Sequence, residues 1–375
     1  MRVLLIGGTG GVGRRAAAEL TRIEKVTALT VASRRAESAA EVVSVLGGGG
    51  GDRVTAMGLD AADEGDLERA ARQHDVVASC AGPAQELEVA AVQACIEART
   101  PYVSLCDDHV VTAQALALNE AARAAEVTVV LGCGFSPGIT NLLAAYAAQQ
   151  LDQVEEIEIA VAYSLNDSPG DSIMFHLLRD LGRDAPYVSE FRTAQGRSGH
   201  LPRPIYFPEP VGWVETFTCG HPEALTAPRV YGDLRSIRFR TGLTERAAMD
   251  ALRAAAAAGF SRVRGDLIGA RMVRRSVGLL SSLPPRGAAW TSARVDVWGQ
   301  TAGGSEVISL GVVDHIANLA SLPIAYAAVE VGSRSVARPG VGTLEEVLAP
   351  GPSLGALARR GMRAARLTPE IFESR

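Results

Sequence analysis

The residues whose spacing most clearly points to chemistry are glycines near the start of the chain. Gly8-Thr9-Gly10-Gly11-Val12-Gly13 fits the spacing G-x-G-x-x-G, between an apolar run at Arg2 to Ile6 and a helical pattern at Arg14 to Leu20. Between a strand and a helix, such glycines allow a tight turn and let the backbone approach a pyrophosphate, which the free N–H groups of the helix start then bind. We therefore predict that this turn binds a dinucleotide.

A second group, Ser33-Arg34-Arg35, indicates which dinucleotide is bound. Ser33 lies twenty positions after Gly13, where an NAD-binding domain carries an acid that binds the ribose 2′-hydroxyl. An acid there would repel a 2′-phosphate, whereas Arg34 and Arg35 would bind it through paired hydrogen bonds. We therefore predict NADP(H) rather than NAD(H). The alternative is a pair of solvated surface arginines.

Loops at the ends of later strands are expected to complete the cofactor site. Ala81-Gly82-Pro83 follows the predicted strand Asp75 to Cys80. Ligands of a doubly wound sheet bind outside the carboxyl ends of its parallel strands, so this loop should line the cofactor. The other cofactor residues expected at strand ends are Asp60, Gly134 and Phe135.

The segment Gly134 to Asn141 is predicted to open a second helix whose N-terminus binds ligand. Ser136 is a favourable N-cap and Pro137 suits the first helical position, so N–H donors would face the ligand. Gly138 would allow a close approach. The residues expected to bind substrate here are Ser136, Pro137, Gly138 and Asn141. An ordinary capped helix start is the alternative.

These candidates require a scaffold that brings strand ends together. Strands and helices alternate from Arg2 to Leu131, which predicts a doubly wound parallel sheet. Beyond about residue 151, strands with alternating polar residues predict a mainly antiparallel sheet. We expect an α/β protein with a dinucleotide-binding Rossmann domain at 1–133, completed by a return of 315–375. A substrate-binding and dimerisation domain is expected at 134–314.

The composition excludes several classes of function. The 375 residues are 47% hydrophobic and 21% charged, and the net charge of −5 gives no basic face for nucleic acid. Five cysteines without a C-x-x-C pair suit a cytoplasmic protein, and the first strand leaves no room for a signal peptide. Six scattered histidines predict no metal site. The uncharged run at 127–151 is broken by glycine and proline, so we expect no membrane span.

Several motifs in one order resemble the saccharopine dehydrogenase-like family. The glycine turn opens the chain, Asp75-Val76-Val77 leads into Ala81-Gly82-Pro83, and residues 95–105 read CIEARTPYVSL. Later motifs are Gly134-Phe135-Ser136-Pro137-Gly138, Asn141-Leu142-Leu143-Ala144, Leu322-Pro323-Ile324-Ala325 and a closing segment from Arg338-Pro339-Gly340-Val341 to Glu345-Glu346. The resemblance covers most of residues 1–150 and about 315–361, and it does not include the middle of the chain.

The resemblance implies a homodimeric, NADP-dependent enzyme that reduces an imine, or oxidises a secondary amine, of an amino-acid or polyamine-like substrate. The family's named types are saccharopine reductases, carboxynorspermidine dehydrogenases and homospermidine synthases. The expected partners are an amine or amino acid and a carbonyl compound. One departure is SLCDD at 104–108, where many relatives place an aspartate directly after the YV pair. Asp107 and Asp108 therefore both remain candidates for that aspartate.

Imine reduction needs a general acid and groups that orient the substrate. Asp107, Asp108 and His109 follow a predicted strand, where acids also occur simply as helix starts. His176, on a helix predicted at Asp171 to Gly182, is a further catalytic candidate or a structural histidine. Cations in a predicted Pro/Gly-rich loop would bind a substrate carboxylate, or are solvated; they are Arg192, Arg197 and Arg203.

Two other functions fit the same scaffold, because a fold does not fix the chemistry. One is a keto or enoyl reductase of secondary metabolism. A short-chain carbonyl reductase is disfavoured, since neither Tyr146 nor Tyr163 has a lysine four positions later. The other is a non-catalytic protein that senses NADPH.

Overall fold

The chain divides into two units, each with its own sheet. In the computed structural model the first unit comprises Met1–Leu142 and Ala317–Arg360, and the second Leu143–Ile316 and Gly361–Arg375. The structure describes residues 1–46, 53–167, 177, 180–181, 183–257 and 289–367. The first boundary lies between Leu142 and Leu143, inside the helix Ile139–Ala148, whereas the predicted boundary is 133/134. The segment after Arg360 groups with the second unit, whereas the sequence predicts it with the first.

The strands in the described ranges are numbered in chain order. They are β1 (Arg2–Ile6), β2 (Ala28–Ser33), β3 (Val54–Gly58), β4 (Val76–Ser79), β5 (Tyr102–Ser104), β6 (Thr128–Leu131), β7 (Gln153–Tyr163), β8 (Asp184–Ser189), β9 (Arg192–Arg197), β10 (Arg203–Phe207), β11 (Gly212–Thr218), β12 (Ser236–Leu243), β13 (Thr291–Thr301), β14 (Gly304–Asp314), β15 (Gly340–Thr343) and β16 (Ala364–Arg366).

The helices are numbered in the same way. They are α1 (Gly11–Thr21), α2 (Ala36–Leu46), α3 (Glu64–Ala71), α4 (Ala84–Glu97), α5 (His109–Leu116), α6 (Asn119–Ala124), α7 (Ile139–Ala148), α8 (Glu223–Tyr231), α9 (Arg246–Ala257), α10 (Ile316–Gly332), α11 (Leu344–Val347) and α12 (Pro350–Ala358). Within the described ranges, none of them combines the length and apolar character that crossing a membrane requires.

The first unit is built on a parallel seven-stranded sheet in the order β15-β6-β5-β4-β1-β2-β3. Strand β1 lies between β2 and β4, so the strand order continues to one side with β2 and to the other side with β4. The carboxyl end of β1 is therefore the point of reversal at which such sheets bind their ligands. Strands β4 and β6 are buried along their whole length, because helices cover both faces of such a sheet. The predicted doubly wound fold is confirmed.

Two features of the first unit differ from the prediction. The sequence pattern from Ala113 to Ala125 predicts one helix, whereas the structure has the two helices α5 and α6; the small apolar residues there give no stop signal that would predict the break. Strand β15 was not predicted. It has two glycines in four residues, a composition with low strand propensity, and it is held by parallel pairing with β6 from Gly340↔Thr128 to Thr343↔Leu131.

The second unit is built on a mixed nine-stranded sheet. Its path is β10-β11-β12-β7-β13-β14-β16, with β8 pairing to both β12 and β9. The pairing of β12 with β7 is parallel and the others are antiparallel. The mainly antiparallel second sheet predicted from alternating residues is confirmed. Pairing of β16 with β14 explains why the segment after Arg360 belongs to this unit.

The cluster of proline and glycine from Gly196 to Trp213 predicts a loop, and this prediction is wrong in part, because all of β10 and the adjoining ends of β9 and β11 lie in this range. Strand β10 lies at one end of the sheet path and pairs only with β11 among the described strands. An edge strand tolerates proline, since one side of its backbone needs no partner. Pro204 therefore sits in β10 opposite Glu215, although proline suggested a loop.

Candidate functional site

The glycine turn between β1 and α1 depends on close backbone contacts. A Cβ atom on Gly13 would lie 2.2 Å from the carbonyl oxygen of Gly7, so only glycine lets α1 pack this close to β1. A Cβ on Gly11 would meet nothing within 4 Å, and Gly10 and Gly11 are exposed. The turn is therefore tight on its inner side and open on its outer side.

The start of α1 has the features of an anion site. Gly10 is the N-cap residue and has no side chain to bind the first N–H groups, and the first turn carries no acid. Backbone donors and the positive end of the helix dipole therefore remain available to a phosphate. These residues fit the pyrophosphate of a dinucleotide, which the open turn from Gly8 to Gly13 would hold.

The residues predicted to recognise the 2′-phosphate lie at the end of β2, the neighbour of β1. Ser33 ends the strand and donates its hydroxyl to the carbonyl of Arg35 at 2.6 Å. Arg34 and Arg35 are exposed, and neither forms an ion pair with any residue that the structure describes. Two uncommitted guanidinium groups suit a phosphate dianion. Asp60, beyond β3, is exposed and accepts a hydrogen bond from Ala62 N, so its cofactor role stays a prediction.

The loop Ala81-Gly82-Pro83 lies beside the glycine turn. A Cβ atom on Gly7 would be 2.6 Å from the backbone nitrogen of Ala81, so the two loops are in close contact. Gly82 and Pro83 are exposed, and Pro83 caps α4 without a side-chain hydrogen bond. The structure thus brings this predicted cofactor loop to the same sheet edge as the phosphate site.

The segment from Gly134 to Asn141 differs from the prediction. Helix α7 begins at Ile139 rather than at Pro137, so Ser136 is not its N-cap. The N–H groups of Gly138, Ile139 and Thr140 bond inside the segment, to Asn141 Oδ1, Gly134 O and Phe135 O. The expectation of free donors is therefore wrong for these three positions.

Gly138 allows a close approach between two backbone segments of its own loop. Its φ is +133°, and a Cβ there would lie 2.0 Å from Gly134 O. The space beside Gly138 is thus filled by Gly134 and is not a ligand space. Ser136 and Phe135 are buried as well. The cofactor and substrate roles of this segment stay predictions, and its observed role is a closed, buried turn.

Glu345 anchors the same turn and was not predicted. Asn141 donates Nδ2 to Glu345 Oε1 at 2.8 Å, while the other oxygen of Glu345 has no partner among the described residues. Burial raises the pKa of Glu345 to about 7, although the hydrogen bond from Asn141 lowers it in part. A carboxyl group that can carry a proton at neutral pH therefore lies directly behind the Gly134 to Asn141 segment.

The two predicted catalytic aspartates have different surroundings. Asp108 is fully buried and caps α5, accepting from Val110 N and Val111 N at 2.9 and 3.0 Å and from Gln85 Nε2 at 2.6 Å. The helix-start interpretation therefore describes Asp108. Asp107 is half-buried, and its catalytic role stays a prediction.

Glu88 is a second buried acid, and no sequence motif singles it out. It lies in α4 and accepts hydrogen bonds from Ser104 Oγ at 2.5 Å and Tyr102 OH at 3.2 Å. Burial raises the pKa of Glu88 to about 7; the two hydroxyls oppose this and Asp107 adds to it. Glu88 thus forms a polar cluster inside the core, beneath the strand end that carries Asp107.

The remaining predicted residues belong to the second part of the chain. His176 lies outside the described residues. Arg192 begins strand β9 and is exposed, whereas Arg203 begins β10 and pairs with the buried carboxylate of Glu158 at 2.8 Å. The structure therefore places both arginines on strands rather than in a loop, and it commits Arg203 to an ion pair.

A histidine and an aspartate in the second unit form a pair that was also missed. His315 Nδ1 lies 2.7 Å from Asp167 Oδ1, and Oδ2 of the same carboxylate accepts from Thr291 Oγ1 at 2.7 Å and Ile316 N at 2.6 Å. The Asp167 side chain is 4% exposed and that of His315 is 49% exposed. The ring of Trp290 stacks on the imidazole with centroids 4.5 Å apart.

This arrangement suits proton transfer. A carboxylate on Nδ1 fixes the orientation of the imidazole, which leaves Nε2 to exchange a proton with a ligand. The residues are 148 positions apart in the sequence. His315 follows an acid directly before a helix, where the sequence suggests only a helix start, so no local signal reveals the pair.

Comparisons with known proteins agree with the first unit's geometry. Residues 3–130 match the family described as the saccharopine dehydrogenase NADP binding domain. A curated relative is carboxyaminopropylagmatine dehydrogenase of Synechocystis sp., which is 24% identical over 275 residues, or 70% of this chain and 67% of the relative.

Solved structures show the same fold. The apo saccharopine dehydrogenase (L-Glu forming) of Saccharomyces cerevisiae has a TM-score of 0.69 at 15% identity, with 98% of this chain and 100% of that chain covered. The amine dehydrogenase of Mycobacterium smegmatis has a TM-score of 0.51 at 12% identity, with 93% and 96% covered. Residues 3–130 thus match the saccharopine dehydrogenase NADP-binding domain, which confirms the resemblance for this part of the chain and supports NADP(H) as the cofactor.

Proposed function

We propose that this protein is an NADP-dependent oxidoreductase that acts on a C–N bond of an amino-acid or polyamine-like substrate. The observation that carries the proposal is the 24% identity, over 275 residues, to a dehydrogenase named for carboxyaminopropylagmatine. That aligned length exceeds the 128 residues from 3 to 130 of the NADP-binding domain, so the similarity extends beyond cofactor binding. In the reductive direction an amine, a carbonyl compound, NADPH and a proton would give a secondary amine, NADP⁺ and water.

The chain's own residues would supply orientation and a proton. NADPH supplies the hydride when bound. We assign the proton to His315 Nε2, which would donate it to the hydroxyl of the carbinolamine; the C–O bond then breaks, water leaves and the C=N bond forms. Asp167 would stabilise the imidazolium, and the indole of Trp290 favours a cationic amine nearby. Asp107 is the alternative donor.

An activity assay tests the reaction class. Purified protein should oxidise NADPH when agmatine, putrescine or lysine is combined with a short aldehyde or a 2-keto acid, and not when either component is added alone. Oxidation with the carbonyl compound alone would instead identify a keto or enoyl reductase. NADPH binding without turnover on any pair would favour a sensor.

A chemical rescue experiment tests His315. Replacement by alanine should lower turnover by about 100-fold or more, the usual contribution of general acid catalysis, and added imidazole should restore part of it. Asp167→Asn keeps one oxygen that can accept from both Thr291 and Ile316, and should lower turnover without changing cofactor affinity. Absence of rescue in a folded His315→Ala protein, with turnover intact in Asp167→Asn, would transfer the role to another residue.

We further propose a homodimer formed through the second unit, in line with the family resemblance. Its support in the structure is the exposure of large aromatic side chains there, Phe191 at 61% and Trp213 at 70%. A cytoplasmic location remains the expectation from five unpaired thiols.

A further inference from the structure

The sheet of the second unit has a gap beside β12. On one side, β12 pairs with β7 along its whole length, from Ser236 to Leu243. On the other side, its start pairs with β8 through Ser236 and Ile237, and its end pairs with β11 through Arg240 and Thr241. Between these two partners, Arg238 and Phe239 border a cavity of about 380 Å³, which is within the size range of small-molecule sites.

The cavity combines apolar walls with positive charge. Tyr187, Leu201 and Phe239 provide apolar surface, and Arg197 and Arg238 line the same space. Neither arginine forms an ion pair with any of the described residues. The cavity can therefore bind an anionic group through its arginines and bury an apolar group against its apolar walls.

One carboxylate on this part of the sheet is already paired with two arginines. Glu158, opposite Arg238 in the register of β7 and β12, pairs with Arg203 at 2.8 Å and with Arg240 at 3.2 Å. Burial lowers the pKa of Arg240, and the positive charges of Arg203 and Arg238 lower it further. The negative charge of Glu158 acts in the opposite direction. The surroundings thus carry a surplus of positive charge that an anion would balance.

A buried hydroxyl in the lining supplies an independent indication of a ligand. Ser198 is 3% exposed, and its Oγ has no hydrogen-bond partner in the part of the chain that the structure describes. Buried polar side chains are usually satisfied, and an orphaned one costs stability. A ligand oxygen in the cavity would give this hydroxyl an acceptor.

We propose that this cavity is a binding site for a small carboxylate with a compact apolar body. The carboxylate binds Arg197, Arg238 and Ser198, and the apolar body lies against Phe239, Tyr187 and Leu201. The proposal does not depend on the proposed function, because the site lies wholly in the second unit and requires no turnover. The same chemistry is offered by the carboxylate end of a substrate and by a separate effector.

The test is calorimetric titration of the full-length protein with 3-phenylpropionate and with its uncharged amide. The acid should bind at least about tenfold more tightly than the amide, because charge-assisted hydrogen bonds are the stronger ones. Arg238→Gln and, separately, Ser198→Ala should each weaken binding of the acid, Arg238→Gln by about tenfold or more. Arg246→Gln is the matched control, since Arg246 lies in the same unit with its side chain 76% exposed and outside the lining.

Each result decides the proposal. Equal binding of acid and amide, no binding of the acid, or unchanged binding in both Arg238→Gln and Ser198→Ala would overturn it. If the acid binds as expected, steady-state kinetics separate the two sources. Competition with the substrate identifies a substrate subsite, and inhibition or activation without competition identifies an effector site; either outcome leaves the binding site in place.

Discussion

At the scale of single residues, we expect cofactor choice to depend on two arginines that form no ion pair with any residue that the structure describes. Arg34 and Arg35 are exposed at the end of β2, beside a serine rather than an acid. Residues 3–130 match an NADP-binding domain, so we propose that these two arginines distinguish the 2′-phosphate from a 2′-hydroxyl. Replacing either arginine should therefore reduce the preference for NADPH over NADH without changing the fold.

We expect Arg34→Ala to weaken NADPH binding by about tenfold or more, since a charge-assisted bond contributes roughly 1.5–3 kcal/mol. Binding of NADH should hardly change, because NADH has no 2′-phosphate. Titration of both cofactors into the variant measures this. Equal losses for the two cofactors would mean that Arg34 supports the loop instead of the phosphate.

Glu88 should make stability depend on pH. Its pKa of about 7 in the folded protein exceeds the ordinary value of 4.5, because burial penalises its charged form. Between these values the folded protein holds a proton that the unfolded chain has lost, so stability falls as pH rises. The loss is on the order of 3 kcal/mol, complete above about pH 7 and absent below about pH 4.5.

Thermal unfolding between pH 5 and pH 8, values chosen to lie roughly on either side of the transition, measures this dependence. Glu88→Gln should show a smaller decline than the parent, and a decline should remain because Glu345 has the same raised pKa. Glu97→Gln, an exposed change at the end of the same helix, should follow the parent. A decline as steep in Glu88→Gln as in the parent would show that Glu88 is ionised in the folded state.

At the scale of elements, the glycine turn shows what a spacing can specify. Gly13 and Gly11 both belong to α1, yet a Cβ would clash at one and meet open space at the other. The pattern predicted the turn correctly, because each glycine in it answers a steric requirement that is local in sequence.

We expect Gly13→Ala to lower the free energy of unfolding of the cofactor-free protein by about 1–3 kcal/mol, the usual cost of overpacking. It should also abolish tight NADP⁺ binding, because α1 must move away from β1. Gly11→Ala should keep or slightly raise the stability of the cofactor-free protein, since alanine is the better helix former. Denaturant titrations of both variants measure the difference, and equal stabilities would contradict the packing role of Gly13.

Elements defined by distant contacts were harder to predict. The alternating strands β7, β13 and β14 followed from their own residues, whereas β15 and β10 carry glycine or proline and exist through their partners β6 and β11. The candidate functional residues fall into the same two groups, those suggested by the local sequence and those brought together by distant contacts. Arg34 was identified from its spacing to the glycine turn, but the pairs His315–Asp167 and Asn141–Glu345 join residues 148 and 204 positions apart. A one-dimensional pattern contains no signal for such contacts.

At the scale of the whole molecule, the open question is assembly. Trp213 in β11 is 70% exposed and packs edge-on against Tyr206 of β10 at 5.5 Å between ring centroids. Exposed aromatic residues grouped on one surface mark a contact with another protein more often than chance, and they contribute strongly when buried there. When two copies of one chain associate through the same surface, they form a two-fold dimer.

We therefore expect the protein to be a dimer at micromolar concentration, and Trp213→Glu to shift it towards the monomer, because the change would bury a charge in the interface. Val45→Glu is the matched control: Val45 is 80% exposed in α2 of the first unit, and the same charge there should leave the dimer intact. Light scattering across a dilution series measures both variants. A parent protein that is monomeric at every concentration, or a Trp213→Glu variant that dimerises as the parent does, would show that this surface of the second unit is not the interface.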